Sequence, residues 1–445
     1  MLSGRVPRIA IVGSGPAGVF TAEALLKSER GPAIDVFDRL PAPYGLVRYG
    51  VAPDHPRIKS VSAVLRRVLE NPAVRFFGNV SFGVDLGLDD LLTHYEAVIF
   101  ATGAPGHRGL GVPGEELRGS WPAGEFVSWY NGHPDALVDF PLHARKVAVL
   151  GAGNVALDVT RLLVKDPREL ADTDVPDHVL DGLRCSSVAD VYLVARRGPA
   201  QAKFTTVELR ELGLLRGVDV LVRPEDLRLD EADERLLETN RQTRANVDLL
   251  REWAERPATG ATRRIHLVFW RSAAAIEGDG AVSGLRLART RPGGSEGEEV
   301  LPVQGVLRAV GYRADPLPGL PFDARTGTLP QRKGRIVDGG GRPVAGCYVA
   351  GWLKRGPSGV IGTNKADAVE TARCVIEDLA EGHRSRSSDP DSVPRLLRRR
   401  GTEFVSWSDW LRLDSYEINR GQAQGRDRSK VSDLDAMLAI SKRGL

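Results

Sequence analysis

Glycines, small residues and paired arginines stand in this chain at spacings that suit the handling of phosphates. Gly13, Gly15 and Gly18 follow directly on the apolar run from Arg8 to Val12. Gly151, Gly153 and the small Ala156 repeat that spacing after the run from Lys146 to Leu150. In such a loop the first glycine permits a tight strand-to-helix turn, and the second lets the backbone approach a pyrophosphate. The third small residue lets the helix pack closely on its strand. The helix then turns its free N–H groups and positive dipole end toward the phosphates. Pro16 and Ala17 complete the first loop, and Asn154, Val155 and Leu157 open the second helix, so all five join the candidate dinucleotide contacts. Two such loops about one domain apart imply two dinucleotides on one polypeptide, with electrons passing between them.

The strands that follow each loop carry the next signals. The run from Ile34 to Asp38 ends in an acid close to the ~20 residues expected after the first glycine. In the second unit the matching run, Asp190 to Arg197, arrives much later, because the polar stretch from Asp166 to Ser187 reads as an insertion. It ends in Arg196 and Arg197. A site for NAD places an acid there, whereas the 2′-phosphate of NADP requires a cation, and adjacent guanidiniums offer bidentate pairing to it.

The elements that must hold these loops are readable in outline. The stretch from Leu40 to Pro56 holds four prolines and two glycines, which rules out a helix or central strand. Its aromatic and apolar content argues against disorder, so it is expected to wrap a ligand. A helix is predicted from Arg57 to Leu69, a strand from Val74 to Phe77, and a buried strand from Ala97 into the turn ending at Gly103. Residues 225 to 262 are highly charged and predict surface helices. Strands return at Ile265 to Trp270 and Gly284 to Arg289, and the run Leu301 to Val310 is expected to rejoin the first domain. A last strand, Cys347 to Ala350, precedes a helix from Lys365 to Leu379. Glu381 to Asp391 is polar and reads as a linker. The tail beyond it carries Trp407, Trp410 and Tyr416, enough aromatic surface to dock on the body.

At 445 residues the chain exceeds what one core usually serves, so two or more domains are expected. A formal charge of +3 is too small to argue for nucleic acid or a membrane surface. Three scattered cysteines (Cys185, Cys347, Cys374) offer no metal spacing, no iron–sulfur cluster and no redox thiol pair. No run approaches the ~18–20 apolar residues of a membrane helix. The first strand begins by Arg8, which leaves no room for a targeting peptide, so a cytoplasmic protein is expected.

Taken together, Gly45 to Pro56, Phe76 to Val80, Gly153 to Asp158, Arg196 to Gly198, Phe204 to Glu211 and Gly351 to Asn364 resemble the adrenodoxin-reductase type of ferredoxin–NADP reductase. The resemblance runs from the first strand to about residue 380. It implies an α/β chain of two Rossmann-like, glutathione-reductase-like domains. The NADP domain (108-323) would be inserted in a discontinuous FAD domain (1-107 and 324-445). It further implies FAD on the first loop, with Asp38 on the adenosine ribose, where the family more often has Glu. Leu46 and Phe82 would line the FAD site, and Trp352, Gly359, Val360 and Ile361 would lie against the flavin ring. Arg108 and Glu208 are carried over as further NADP contacts, and His55 with Glu211 as catalytic groups near the nicotinamide. The implied reaction takes a hydride from NADPH to FAD and hands single electrons to an iron–sulfur ferredoxin, with no metal site in this chain. Arg235, Arg241, Arg244, Arg251, Arg263 and Arg264 are candidates for a ferredoxin dock, although the interleaved acids suit a plain solvated surface equally well. The alternatives are another NADPH-dependent flavoprotein, such as a monooxygenase or diaphorase-like reductase, or a flavin-bound scaffold without turnover.

Overall fold

The computed structural model describes residues 6–291, 297–381 and 389–443. The strand Arg8–Val12 is buried at every position, as a parallel strand covered on both faces must be. It belongs to a seven-stranded sheet in the order Gln331–Arg332, Arg335–Val337, Pro343–Val349, Ala97–Phe100, Arg8–Val12, Ala33–Phe37, Val74–Phe77. The last five strands run parallel, and the first two add an antiparallel edge. From Arg8–Val12 the chain leaves toward Ala33–Phe37 on one side and later returns at Ala97–Phe100 on the other. That reversal is the switch point where open α/β sheets bind ligands.

A second, wholly parallel sheet repeats the device. Its order is Ser120–Pro122, Gly305–Arg308, Lys146–Leu150, Asp190–Val194, Arg263–Val268, Val218–Val222. Here the reversal lies between Lys146–Leu150 and Gly305–Arg308. A three-stranded antiparallel layer (Arg271–Glu277, Gly284–Arg289, Glu298–Leu301) closes one side, with Leu285 and Leu287 in the same apolar cluster as Ala148, Val194 and Val306.

The chain divides into two units, residues 1–107 with 312–445 and residues 108–311. The return crossing therefore falls at Tyr312 rather than at the expected 324. The reason is local pairing: Tyr312–Arg313 lies antiparallel to Gly106–His107, and Ala314, Leu317, Leu320 and Phe322 pack into the first unit's core. The run 301–310, expected to rejoin the first domain, instead supplies Gly305–Arg308 to the second sheet, paired with Lys146–Leu150.

Two smaller expectations also change. The helix predicted over 57–69 is broken into Pro56–Lys59 and Ser62–Leu69. The Ser60 hydroxyl donates back to the Arg57 carbonyl (2.7 Å), in competition with the helical ladder. The insertion after Asp166 forms a short turn and the helix Asp177–Arg184, which buries Val179, Leu180 and Leu183. Of the linker expected at 381–391, residues 382–388 lie outside the described residues. In the tail, the helix Trp407–Gln422 starts from a capping box of Ser406 and Asp409. Trp410 is buried among Tyr44, Val47 and Leu413, and Trp407 meets Phe76 edge-on at 6.3 Å. Tyr416 is not docked and stays exposed.

Candidate functional site

In both units the first glycine of the loop is required by the protein itself. Gly13 has φ +113°, and a Cβ there would collide with the carbonyl of Ala101, at the end of the strand across the switch point. Gly151 has φ +153°, and its Cβ would lie 2.5 Å from the carbonyl of Ala309, the equivalent place in the second sheet. Gly18, packed on the Gly13 carbonyl, likewise has no room for a side chain.

The second glycines behave differently. Gly15 (φ −71°) and Gly153 (φ −118°) are the N-caps of Pro16–Leu26 and Asn154–Val164, both in extended conformations open to any residue. A Cβ on Gly153 would meet nothing within 4 Å, and one on Gly15 would meet only the Gly45 Cα at an ordinary 3.8 Å. Neither the backbone nor the packing demands glycine at these two places. The requirement that remains is close approach by something outside the chain, which at a helix N-terminus is an anion. Both loops thus fit a pyrophosphate.

Around the first loop the surroundings are closely built. Ser14 donates to the Asp38 carboxylate from its amide (2.9 Å) and its hydroxyl (2.5 Å), and the Leu40 amide takes the other oxygen (3.0 Å). Asp38 therefore braces the loop. The Tyr44 amide donates to the Ser14 carbonyl at 3.1 Å, and Gly45 stacks on Gly15. Tyr44 is buried edge-on to Trp410, and burial is the main reason its hydroxyl pKa is pushed up to about 12. Beyond it, the turn Leu46–Tyr49 buries Arg48 against Glu417 of the tail at 2.6 Å, with side-chain exposures of 5% and 0%. Burial works to raise the Glu417 carboxyl, but Arg48 and Arg428 beside it hold it below the ordinary glutamate range.

The apolar residues carried over for the flavin all lie in this unit. Phe82 meets Phe100 edge-on at 5.0 Å, at the end of the strand Ala97–Phe100. Gly351 (φ +74°) packs against Ala17, since a Cβ there would fall 2.5 Å from the Ala17 Cβ. That brings the turn Trp352–Arg355 to the first loop. The Trp352 indole donates to the Ser358 carbonyl at 3.2 Å, and its ring lies 5.5 Å from Tyr312. Gly359 (φ +82°) and Val360 are held by Thr363, whose hydroxyl accepts from the Val360 amide at 3.2 Å. Leu46 and Val360 are exposed although apolar, and Ile361 is partly buried against the core. Such residues present the apolar surface that a flat ring would cover. His55 is buried, at the start of Pro56–Lys59.

Around the second loop the scene is more open. The Lys203 amide donates to the Ala152 carbonyl (2.8 Å) and the Thr205 amide to the Asn154 side chain (2.9 Å). These bonds tie the start of the helix Thr206–Leu212 to the loop. Val155 follows Asn154 at the helix start, and Ala156 and Leu157 are buried behind it. Arg196 and Arg197 are exposed just past the strand Asp190–Val194, and among the described residues neither guanidinium has a carboxylate partner. Arg108 is exposed, with its amide on the Gly311 carbonyl at 3.0 Å.

Several contributors were not foreseen. Arg161, 1% exposed, pairs with Asp158 (2.8 Å) and with both carried-over acids, Glu211 (3.0 Å) and Glu208 (3.7 Å). The helical spacings of Asp158 with Arg161, and of Glu208 with Glu211, were the available signal. Trp270, at φ +56°, lies over Gly198, and its amide donates to the Arg197 carbonyl (3.3 Å). The Thr290 hydroxyl donates to the Arg196 carbonyl at 2.5 Å, so the arginine pair has a fixed backbone.

The suggested docking arginines are mostly engaged within their own unit. Arg235 pairs with Glu231, Arg251 with Glu234 and Asp248, and Arg264 with Asp190. Arg244 and Arg263 bond backbone carbonyls. This favours the solvated-surface reading. The cysteines form no pair, and Cys347 and Cys374 are buried.

The model of the pyridine nucleotide-disulphide oxidoreductase family matches residues 7–360. The NADPH-ferredoxin reductase FprA of Mycobacterium leprae is 42% identical over 98% of this chain and 98% of its own length. The mitochondrial NADPH:adrenodoxin oxidoreductase of Bos taurus is 40% identical over 98% of this chain and 92% of its own. Among solved structures, Mycobacterium tuberculosis FprA in complex with NADPH superposes with a TM-score of 0.91 at 42% identity, covering 98% of this chain and 100% of that one.

Proposed function

This chain belongs to the pyridine nucleotide-disulphide oxidoreductase family, and within it we propose that it is an FAD-containing NADPH:ferredoxin reductase. Electrons enter from NADPH and leave singly to an iron–sulfur ferredoxin. The observation that carries the reading is the doubled glycine loop, the second one followed by two exposed guanidiniums with no carboxylate partner among the described residues. Relatives named as NADPH-ferredoxin reductases and adrenodoxin oxidoreductases along nearly the whole chain support it over a monooxygenase or diaphorase. A scaffold would have no use for a 2′-phosphate clamp.

FAD, when bound, supplies the conversion between a two-electron donor and a one-electron acceptor. In this reading Gly13, Gly15, Pro16, Ala17 and Gly18 hold its pyrophosphate. Asp38, with one oxygen committed to Ser14 and the other to the Leu40 amide, would hold the adenosine ribose. Leu46, Phe82, Trp352, Gly359, Val360 and Ile361 would cover the flavin and exclude water from it. Gly151, Gly153, Asn154, Val155, Ala156 and Leu157 hold the NADP pyrophosphate. Arg196 and Arg197 grip the 2′-phosphate, and Arg108 and Glu208 add further contacts. His55 and Glu211 serve near the nicotinamide. Histidine is the side chain whose charge is most easily set near neutral pH, and Arg161 fixes Glu211 from behind.

No helix among the described residues is long and apolar enough to cross a membrane. Three cysteines that form no disulfide suit the reducing cytoplasm, where we place the protein. The test is steady-state turnover with NADPH and an oxidised ferredoxin. Ferredoxin-dependent oxidation of NADPH is expected. A preparation that consumes NADPH only with oxygen and a hydroxylated product contradicts the reading.

A further inference from the structure

The C-terminal tail has no role in the assignments above, yet it reaches the loop that covers the first glycine turn. Glu417, on the helix Trp407–Gln422, is wholly buried and ties this loop to the tail. One oxygen accepts from Arg48 (2.6 Å) and from the Val431 amide (2.9 Å), and the other from Arg428 (2.8 Å). Lys430, itself 2% exposed, donates to the Arg48 carbonyl at 3.3 Å. Trp410 stacks under the Arg48 guanidinium at 5.3 Å and meets Tyr44 edge-on at 6.0 Å.

The segment held in this way is strained. Tyr44 (φ +84°) and Gly45 (φ +50°) are consecutive positive-φ residues, and such a conformation is unfavourable for a bulky side chain. The corner they make is what bears on the phosphate loop, through the Tyr44 amide on the Ser14 carbonyl and Gly45 on Gly15. Such a corner persists only where its surroundings over-determine it. An apolar pair of similar volume would fill the space under it at no greater cost than a buried ion pair. A charged pair adds direction, because Arg48 has one place to sit.

We propose that the tail, through Glu417, clamps the Tyr44–Arg48 corner onto the first glycine loop and thereby sets how tightly FAD is retained. Glu417 is a positioning residue, acting through Arg48. The inference rests on FAD occupying that loop. The two can be told apart, because a wild-type protein that binds no flavin contradicts the FAD reading before any variant is made.

The test is Glu417→Gln in the holoprotein. FAD release on dilution, followed by rising flavin fluorescence, is expected to accelerate roughly tenfold. Affinity for 2′,5′-ADP, a probe of the second loop, is expected to stay unchanged. Tm is measured with and without FAD, and the clamp requires the rise produced by FAD to shrink in the variant. A brace without a positioning role lowers both Tm values together and leaves that rise intact, which overturns the proposal. Release at the wild-type rate also overturns it. Should Glu417→Gln fail to fold, Lys430→Met takes away the bond to the Arg48 carbonyl. Faster FAD release supports the clamp there, and unchanged release rejects it.

Discussion

Around the first glycine loop the protein closes in: Asp38 grips Ser14, Gly45 sits on Gly15, and a buried ion pair from the far end of the chain holds that cover down. Around the second loop it stays open, with free space over Gly153 and two exposed arginines past the adjacent strand. The strand, turn and helix are alike in both, and so is the first glycine's collision with a carbonyl across the switch point. The difference lies in what was added afterwards. A dinucleotide that must stay is covered by chain, whereas one that must come and go is met by surface charge, which attracts it without enclosing it. This contrast is what the proposed reading requires of one loop for a resident group and one for an exchanging coenzyme.

The comparison breaks most visibly at the arginines. Arg196→Ala is expected to raise the KM for NADPH roughly ten- to a hundredfold, the worth of one lost charge-assisted contact. KM for NADH should barely move, and equal changes in both would remove the phosphate-clamp role. Next come the glycines of the second loop. Gly153→Ala should leave Tm nearly unchanged yet weaken NADP+ binding about tenfold, measured calorimetrically. Gly151→Ala should cost ~1–3 kcal/mol of stability, because its methyl meets the Ala309 carbonyl. The reverse pattern would mean that the free space over Gly153 is incidental.

The remaining predictions are smaller. The Glu417 carboxyl is held below its ordinary range in the folded protein. Its contribution is therefore complete above the unfolded value and lost only as pH falls through the lowered one. FAD release should stay flat across neutral pH and rise only in acid. A rise beginning near neutrality contradicts the paired state. Replacing His55 or Glu211 should change the rate of flavin reduction by NADPH more than FAD retention, and stopped-flow traces matching wild type would exclude both from that step.

Much of the molecule was legible from local pattern. Both glycine loops, the cationic strand end and the wrapping stretch after Leu40 depend on neighbours in sequence, and such neighbours leave periodicity and spacing behind. What escaped was long-range. The Arg48–Glu417 pair spans 369 positions, and neither residue differs in its local surroundings from a surface charge. Trp270 reads as the end of a strand, and only the fold reveals that it lies over Gly198 and holds the Arg197 carbonyl. The run 301–310 is apolar enough for either sheet, and pairing with Lys146–Leu150 decided which. Arg161 was within reach of helical spacing, but its three acids sit on two helices.

The division between a retained and an exchanging dinucleotide is tested most directly by anaerobic titration of the purified, flavin-loaded protein after exhaustive dialysis. The account predicts that the yellow band survives dialysis at full flavin occupancy and is then bleached by NADPH at about one equivalent per flavin, with NADH far less effective. A protein that loses its flavin as readily as NADP+, or keeps it and leaves NADPH untouched, contradicts the account.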